Sequence, residues 1–164
     1  MARAVIAATA LILLGACFGG DANVTESGKG LPVVAIEFPE TAPPGSVQTA
    51  ALRVSNPGPG NMSSLAVAFT LVGRLEGVVP RPIVEIGYGR KNPAIVGVEP
   101  RPRAISFDGV RYVFDGLDED ASAKLRFRLK LPDAPGLAGN AVVVSDGQDP
   151  ERARGVPLQT MVEG

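Results

Sequence analysis

Cys17 is the only cysteine of a 164-residue chain that contains no histidine. Without imidazole there is no Ser-His-Asp triad, no Cys-His pair and no histidine metal ligand. The four lysines offer no S-x-x-K spacing, and no glycine-rich phosphate loop follows a strand to open a helix. A carboxylate-only glycosidase would need just two acids, yet nothing in the sequence pairs two of them, and there is no tryptophan to stack a sugar. Asp115, Asp118, Glu119 and Asp120 do fall within six residues, with Asp146 and Asp149 further on. Calcium takes about six to eight oxygens from loops of this kind, so the first four are candidate Ca²⁺ ligands. The D-x-D-x-D-G register is absent, and D-G and D-E-D are equally common turn chemistry. No other cofactor is implied. Cys17 alone has a specific chemistry to offer, that of a thiol nucleophile.

Its surroundings say what that chemistry is. Arg3 precedes an apolar run over residues 4–16, broken by Thr9 and Gly15, which closes on Leu14-Gly15-Ala16-Cys17. A basic residue, a short apolar segment and small residues at its end are the layout of a secretory signal. The run is too short to cross a bilayer, which takes about 20 apolar residues. Leu14-Gly15-Ala16-Cys17 resembles the lipobox of bacterial lipoproteins. The resemblance implies a signal-peptide helix over 1–16, cleavage between Ala16 and Cys17, and a thioether-linked diacylglycerol on Cys17. It also implies attachment to the membrane through that lipid, on the extracytoplasmic side of the cell membrane or in the outer membrane of a diderm. A cleaved but unlipidated signal is the alternative.

Residues 17–30 are polar and glycine-rich and read as a flexible tether, on the order of 40 Å when fully extended. With Cys17 bound to lipid no intrachain disulfide exists, so the domain over 31–164 must stand on its core. Removing residues 1–16 takes only Arg3 from the 16 basic and 17 acidic residues and leaves a net charge of −2. That balance argues against nucleic acid and against broad electrostatic binding to membranes. Charge is nonetheless uneven along the chain. Arg81, Arg90, Lys91, Arg101, Arg103 and Arg111 stand against Glu85, Glu99 and Asp108, ahead of the acidic Asp115–Asp120 stretch. The first five of those cations are the candidate surface for an envelope protein or polymer.

The domain reads as strands throughout. Lys124 to Leu131 alternates cation and apolar residue without error, with Leu125, Phe127, Leu129 and Leu131 on one face and a cationic opposite face. Leu65, Val67, Phe69 and Leu71 repeat the period, as do Ala50, Leu52 and Val54, and Val34, Ile36 and Phe38. Ile105 to Phe107 and Val110 to Phe114 flank Asp108-Gly109, a hairpin signal whose two turn positions favour positive φ. Val142 to Val144 is a buried strand. Val156 to Val162 closes the domain, and Pro157 places it toward a sheet edge. The proline-rich stretch 73–103 is expected to hold one or two irregular edge strands. Seven to nine strands, 15 prolines and 20 glycines predict an all-β antiparallel sandwich.

Two segments carry a further resemblance. Ala51-Leu52-Arg53-Val54-Ser55-Asn56-Pro57-Gly58-Pro59-Gly60, continued to Val67, is similar to the core hairpin of bacterial surface Ig-like modules of the CARDB and DUF11 types, where an Asn/Gly turn joins two strands. Phe114-Asp115-Gly116-Leu117 through Phe127 resembles the corner and strand that follow in those modules. The resemblance implies an Ig-like sandwich that serves as a spacer or binding module, with no shared catalytic residues. The expectation is therefore a lipid-anchored envelope protein with one non-catalytic Ig-like domain. The alternative is a small-ligand or Ca²⁺-binding accessory protein for a transporter or wall enzyme.

Overall fold

The computed structural model describes residues 31–73, 77–87, 91–149 and 152–164. The apolar run, Cys17, the tether and Arg90 lie outside them. Alternating burial builds ten strands: β1 (Val33–Glu37), β2 (Thr41–Ala42), β3 (Val47–Ser55), β4 (Met62–Thr70), β5 (Ile95–Glu99), β6 (Ala104–Ile105), β7 (Arg111–Leu117), β8 (Ser122–Lys130), β9 (Gly136–Asp146) and β10 (Ala153–Val162). They form a four-stranded sheet, β1-β3-β8-β5, and a six-stranded sheet, β2-β10-β9-β4-β7-β6.

Leaving out β2, β6 and β7, the chain order β1, β3, β4, β5, β8, β9, β10 reproduces the seven-strand Ig arrangement, in which the first, second, fifth and fourth strands face the third, sixth and seventh. The fold is an Ig-like sandwich with an added β6–β7 hairpin on β4 and a two-residue β2 on β10. The brief parallel strand β2, which carries only Ala42 inward, has no periodic signal and exceeds the expected count.

No disulfide joins the sheets. Phe127 of β8 fills that place: its ring meets Phe69, Tyr112 and Phe114 of the six-stranded sheet edge-to-face, at centroid distances of 5.2, 5.4 and 6.2 Å. Such pairs each contribute about 0.5–1.5 kcal/mol beyond area burial. Around them pack Leu52, Leu65, Val67, Leu125, Leu129, Val142, Val144 and Leu158, all buried.

The β3–β4 connection departs from the expected hairpin. β3 and β4 lie in different sheets, so the Asn56 turn is a crossover between layers. The β7–β8 corner is a second crossover, and Asn56 ties the two together. Its amide Nδ2 donates to the carbonyls of Gly60 (2.9 Å), Leu117 (3.1 Å) and Asp118 (3.1 Å), while Oδ1 accepts from the Gly58 N–H at 3.2 Å. Its own N–H donates to Ala121 at 2.9 Å and its carbonyl accepts from Asp120 at 2.8 Å. Asn56 is fully buried, and these bonds offset its desolvation.

A second buried asparagine holds the irregular stretch. Asn140 of β9 accepts from the N–H groups of Ile83 (3.0 Å) and Val84 (2.8 Å) and donates to the carbonyls of Thr70 (3.2 Å) and Val84 (2.9 Å). Ile83 and Val84 thereby enter the core, and β5 forms the edge of the four-stranded sheet with a register shift between Ile95 and Gly97. This matches an irregular edge strand with long connections.

Three local expectations change. Leu71 lies beyond the end of β4 and is exposed, because the ladder stops one residue before the alternation does. Ile105 and Phe107 are exposed, since β6 is two residues long and nothing packs on it from outside. At Asp108-Gly109 only Gly109 has positive φ (69°); the loop is longer than two residues and closes with the Ser106 N–H donating to Arg111 at 2.9 Å. The edge reading of Pro157 agrees with the ladder. The Met161 and Glu163 N–H groups point to β2's side, so position 157 falls in the same outward set, where a missing N–H removes no bond to β9.

Asn56→Ala would leave three carbonyls and one N–H short of a partner. It is expected to lower unfolding stability by about 3 kcal/mol in urea titration, whereas a loss under about 0.5 kcal/mol would show that the crossovers hold without it. Burial raises the Tyr112 phenol to about 12 from its ordinary value of 10.0. A neutral phenol is common to both states below pH 10, so stability is intact there. Above it the unfolded chain ionises first, and stability falls as pH rises from 10 to 12. In a Tyr88→Phe background, phenolate absorbance should appear only at the upper end of that range, together with unfolding; a titration centred near pH 10 in folded protein would contradict the burial.

Candidate interaction surface

The acidic candidates are spent on turns and edges. Asp115 pairs with Arg103 across β7 and the β5–β6 connection, with both side chains largely exposed, an arrangement that adds little stability. Glu119 accepts the Gly60 N–H at 3.0 Å through Oε2, and its own N–H donates to Asn61 Oδ1 at 2.9 Å. Asp120 sits at φ 62°, turning the corner, and Asp118 gives its carbonyl to Asn56. The carboxylate of Asp146 accepts from Ser63 and Gln148, both at 3.1 Å. Among the described residues no group of three or more acids, cysteines or histidines gathers as a cation site.

The four described cationic candidates, Arg81, Lys91, Arg101 and Arg103, are not gathered either. Arg81 bridges Ala138 of β9 and donates through its guanidinium to the Ala134 carbonyl at 3.1 Å. Arg103 hydrogen-bonds Val113, which lies level with Ala66 and Ser145 through the register. Ala138 and Ser145 are seven residues apart on β9, about 23 Å along the strand. Arg101 and Lys91 are exposed on separate connections.

The ends of the sandwich differ in character. At one end Val33 pairs with Ser55 beside the Asn56 crossovers, so the chain enters there. The other end lies about 27 Å away, the length of the nine-residue β4. Continuing the β4–β7 register brings Leu71 level with Asp108, and continuing β4–β9 brings Gly73 level with Ala138, where Arg81 docks. Leu71, Val79 and Phe107 therefore belong to segments leaving this far end, and all three are exposed, Phe107 by 77 %. Phe107 also borders a shallow groove of about 670 Å³ formed with Arg101, Pro102, Arg103, Ala104 and Ile105. An exposed aromatic ring at the border of a groove has the character of an interface anchor.

Sequence reasoning placed Leu71 and Phe107 in strands because their alternation is locally sound. The available signal was that Phe107 directly precedes the Asp108-Gly109 turn, and tip residues project from a sheet.

No family model matches the sequence, and no curated protein matches it. Three solved structures are similar in part. The ASH/PapD-like domain 7 of human CEP192 has 11% identity over 98% of this chain and 97% of that chain, with a TM-score of 0.38. A family 123 glycoside hydrolase from Clostridium perfringens has 9% identity over 76% of this chain and 22% of its own, with a TM-score of 0.43. The Pseudomonas fluorescens alkylpurine DNA glycosylase AlkC, bound to DNA containing an abasic site analog, has 12% identity over 84% and 31%, with a TM-score of 0.41. At these scores the Ig-like assignment rests on the strand order itself.

Phe107→Ser and Leu71→Ser are expected to change unfolding stability by less than about 0.5 kcal/mol, whereas Phe69→Ala should cost about 3–5 kcal/mol. Equal losses at positions 69 and 107 in urea titration would mean that Phe107 belongs to the core.

Proposed function

We propose that the chain is a cell-envelope lipoprotein, held on the extracytoplasmic side of the cell membrane (or in the outer membrane of a diderm) by a diacylglycerol on Cys17. Its Ig-like sandwich serves there as a non-catalytic binding module. The observation that carries the binding role is the exposed apolar end: Phe107, Leu71 and Val79 stand exposed at the end opposite the one where residue 33 enters. A tether attached at the entry end leaves that far end clear of the anchor. The lipid itself is supported by Leu14-Gly15-Ala16-Cys17 closing an apolar run. Several acyl chains hold a protein firmly where one holds it marginally, so no further membrane segment is needed.

Cys17→Ser is expected to abolish incorporation of radiolabelled palmitate and to release the protein from the membrane fraction or leave it unprocessed. Label entering that variant as well as the wild type would remove the lipid assignment. For the binding role, a photo-crosslinking residue at position 107 should yield a discrete adduct in intact cells, and the same residue at position 49, on the opposite sheet, should not. Adducts at neither position, or equally at both, would contradict a partner surface at the far end.

A further inference from the structure

The near-neutral net charge conceals how charge is arranged in space. Lys124, Arg126, Arg128 and Lys130 all project from β8 onto the outer face of the four-stranded sheet, and all are exposed. The register sets exposed Arg53 of β3 beside Lys124. Two strand carboxylates share this face, Glu37 and Glu99, and both lie in one row with Arg126: Glu37 opposite Ala51, Ala51 opposite Arg126, Arg126 opposite Glu99. The face thus carries five cations against two carboxylates. None of the five cations is within ion-pairing distance of a carboxylate among the described residues.

Its relief is low between long arms. Ala35 and Ala51 line a shallow groove of about 390 Å³ together with Arg53, Lys124 and Arg126 and the carboxylate Glu37. Arg128 lies across Gly97, where an added β-carbon would sit 3.3 Å from its Cδ. Small residues between cationic side chains suit phosphate-bearing head groups spread in a plane.

We infer that this face docks on an anionic phospholipid bilayer. The inference rests on the proposed Cys17 anchor for delivery, because attraction between exposed charges falls away beyond a Debye length of about 8–10 Å. The chain from Cys17 joins β1, which is an edge strand of this same sheet. Fifteen residues lie between Cys17 and Val33, on the order of 50 Å when extended. Four strands span only about 19 Å, so the sheet can lie flat against the membrane to which its own tether is fixed. In that pose the strand axis runs along the bilayer and the Phe107 end stays free. Lipid and basic face then act as two signals, the combination that makes anchoring stable.

The test uses the unlipidated mature chain, residues 17–164 with Cys17→Ser. It keeps the whole described core, which runs from Val34 to Val162. Expected is co-sedimentation with vesicles containing about one third phosphatidylglycerol, none with pure phosphatidylcholine, and loss in roughly 0.5 M NaCl. Arg126→Glu with Arg128→Glu should weaken binding about tenfold or more, and Arg126→Gln with Arg128→Gln by a smaller factor. Arg103→Glu with Arg111→Glu makes the same change in net charge on the six-stranded sheet, where Arg103 meets Val113 and Asp115 of β7 and Arg111 is an exposed residue of β7, and should leave binding unchanged. Unaltered thermal unfolding identifies the variants as folded. Equal binding to neutral vesicles, or equal loss in the control pair, would overturn the inference. So would retention on soluble polyphosphate with no vesicle binding, which would assign the face to a polymer. Vesicle binding that persists while palmitate labelling fails would instead remove the anchor and leave the face standing.

Discussion

Asn56 is the constraint on which the rest of the sandwich depends. Two chain segments, 56–61 and 118–121, cross between the sheets at one end and turn away from regular ladders; Asn56 and Gly58 are buried within them, and the other residues are exposed or half-buried. Turning leaves backbone groups without strand partners, and in a dry interior each such group is costly. One side-chain amide with two donor hydrogens and an acceptor oxygen answers several of them together. Aspartate at this position would lack the donors, and leucine would lack everything but volume.

The consequence reaches far along β8. The Asn56 N–H to Ala121 bond sets where β8 begins against β3, and the pairing runs without a shift from Ser122 to Lys130. A slip of one residue would exchange the faces. Phe127 would leave the aromatic cluster with Phe69, Tyr112 and Phe114, and Arg126 or Arg128 would face an apolar interior. Core and cationic face are therefore two readings of one register. This explains how a chain without disulfides keeps a single arrangement of its sheets.

Much of this was legible in the sequence. The alternation in β8, β4, β3 and β1, the edge position of Pro157 and the all-β class all follow from spacing, because side chains on a strand have only two directions. The crossover at Asn56 was not legible. Asn, Gly and Pro announce a turn, but whether a turn returns to the same sheet or crosses to the other is decided by partners far along the chain, here Leu117 and Asp118. Leu71 fails for a related reason: its spacing fits the ladder, and the ladder ends first. Phe107 is apolar in a strand-like run, and only the two-residue β6 beneath it shows that nothing covers it. Net charge misleads in the same way, since acids in corners and cations on a sheet cancel in a sum and not in space.

These features fit the proposed envelope module: a basic sheet along its side and an apolar tip at the end opposite Val33, with the lipid proposed on Cys17. The aromatic core and the basic face depend on β8 keeping its register. The most direct measurement of that dependence is hydrogen exchange of the Asn56 side-chain amide, read by NMR alongside the backbone amides of β8. The account predicts that the Asn56 Nδ2 protons exchange as slowly as the paired β8 amides, in one cooperative unit. Rapid exchange at Asn56 with β8 still protected would contradict it.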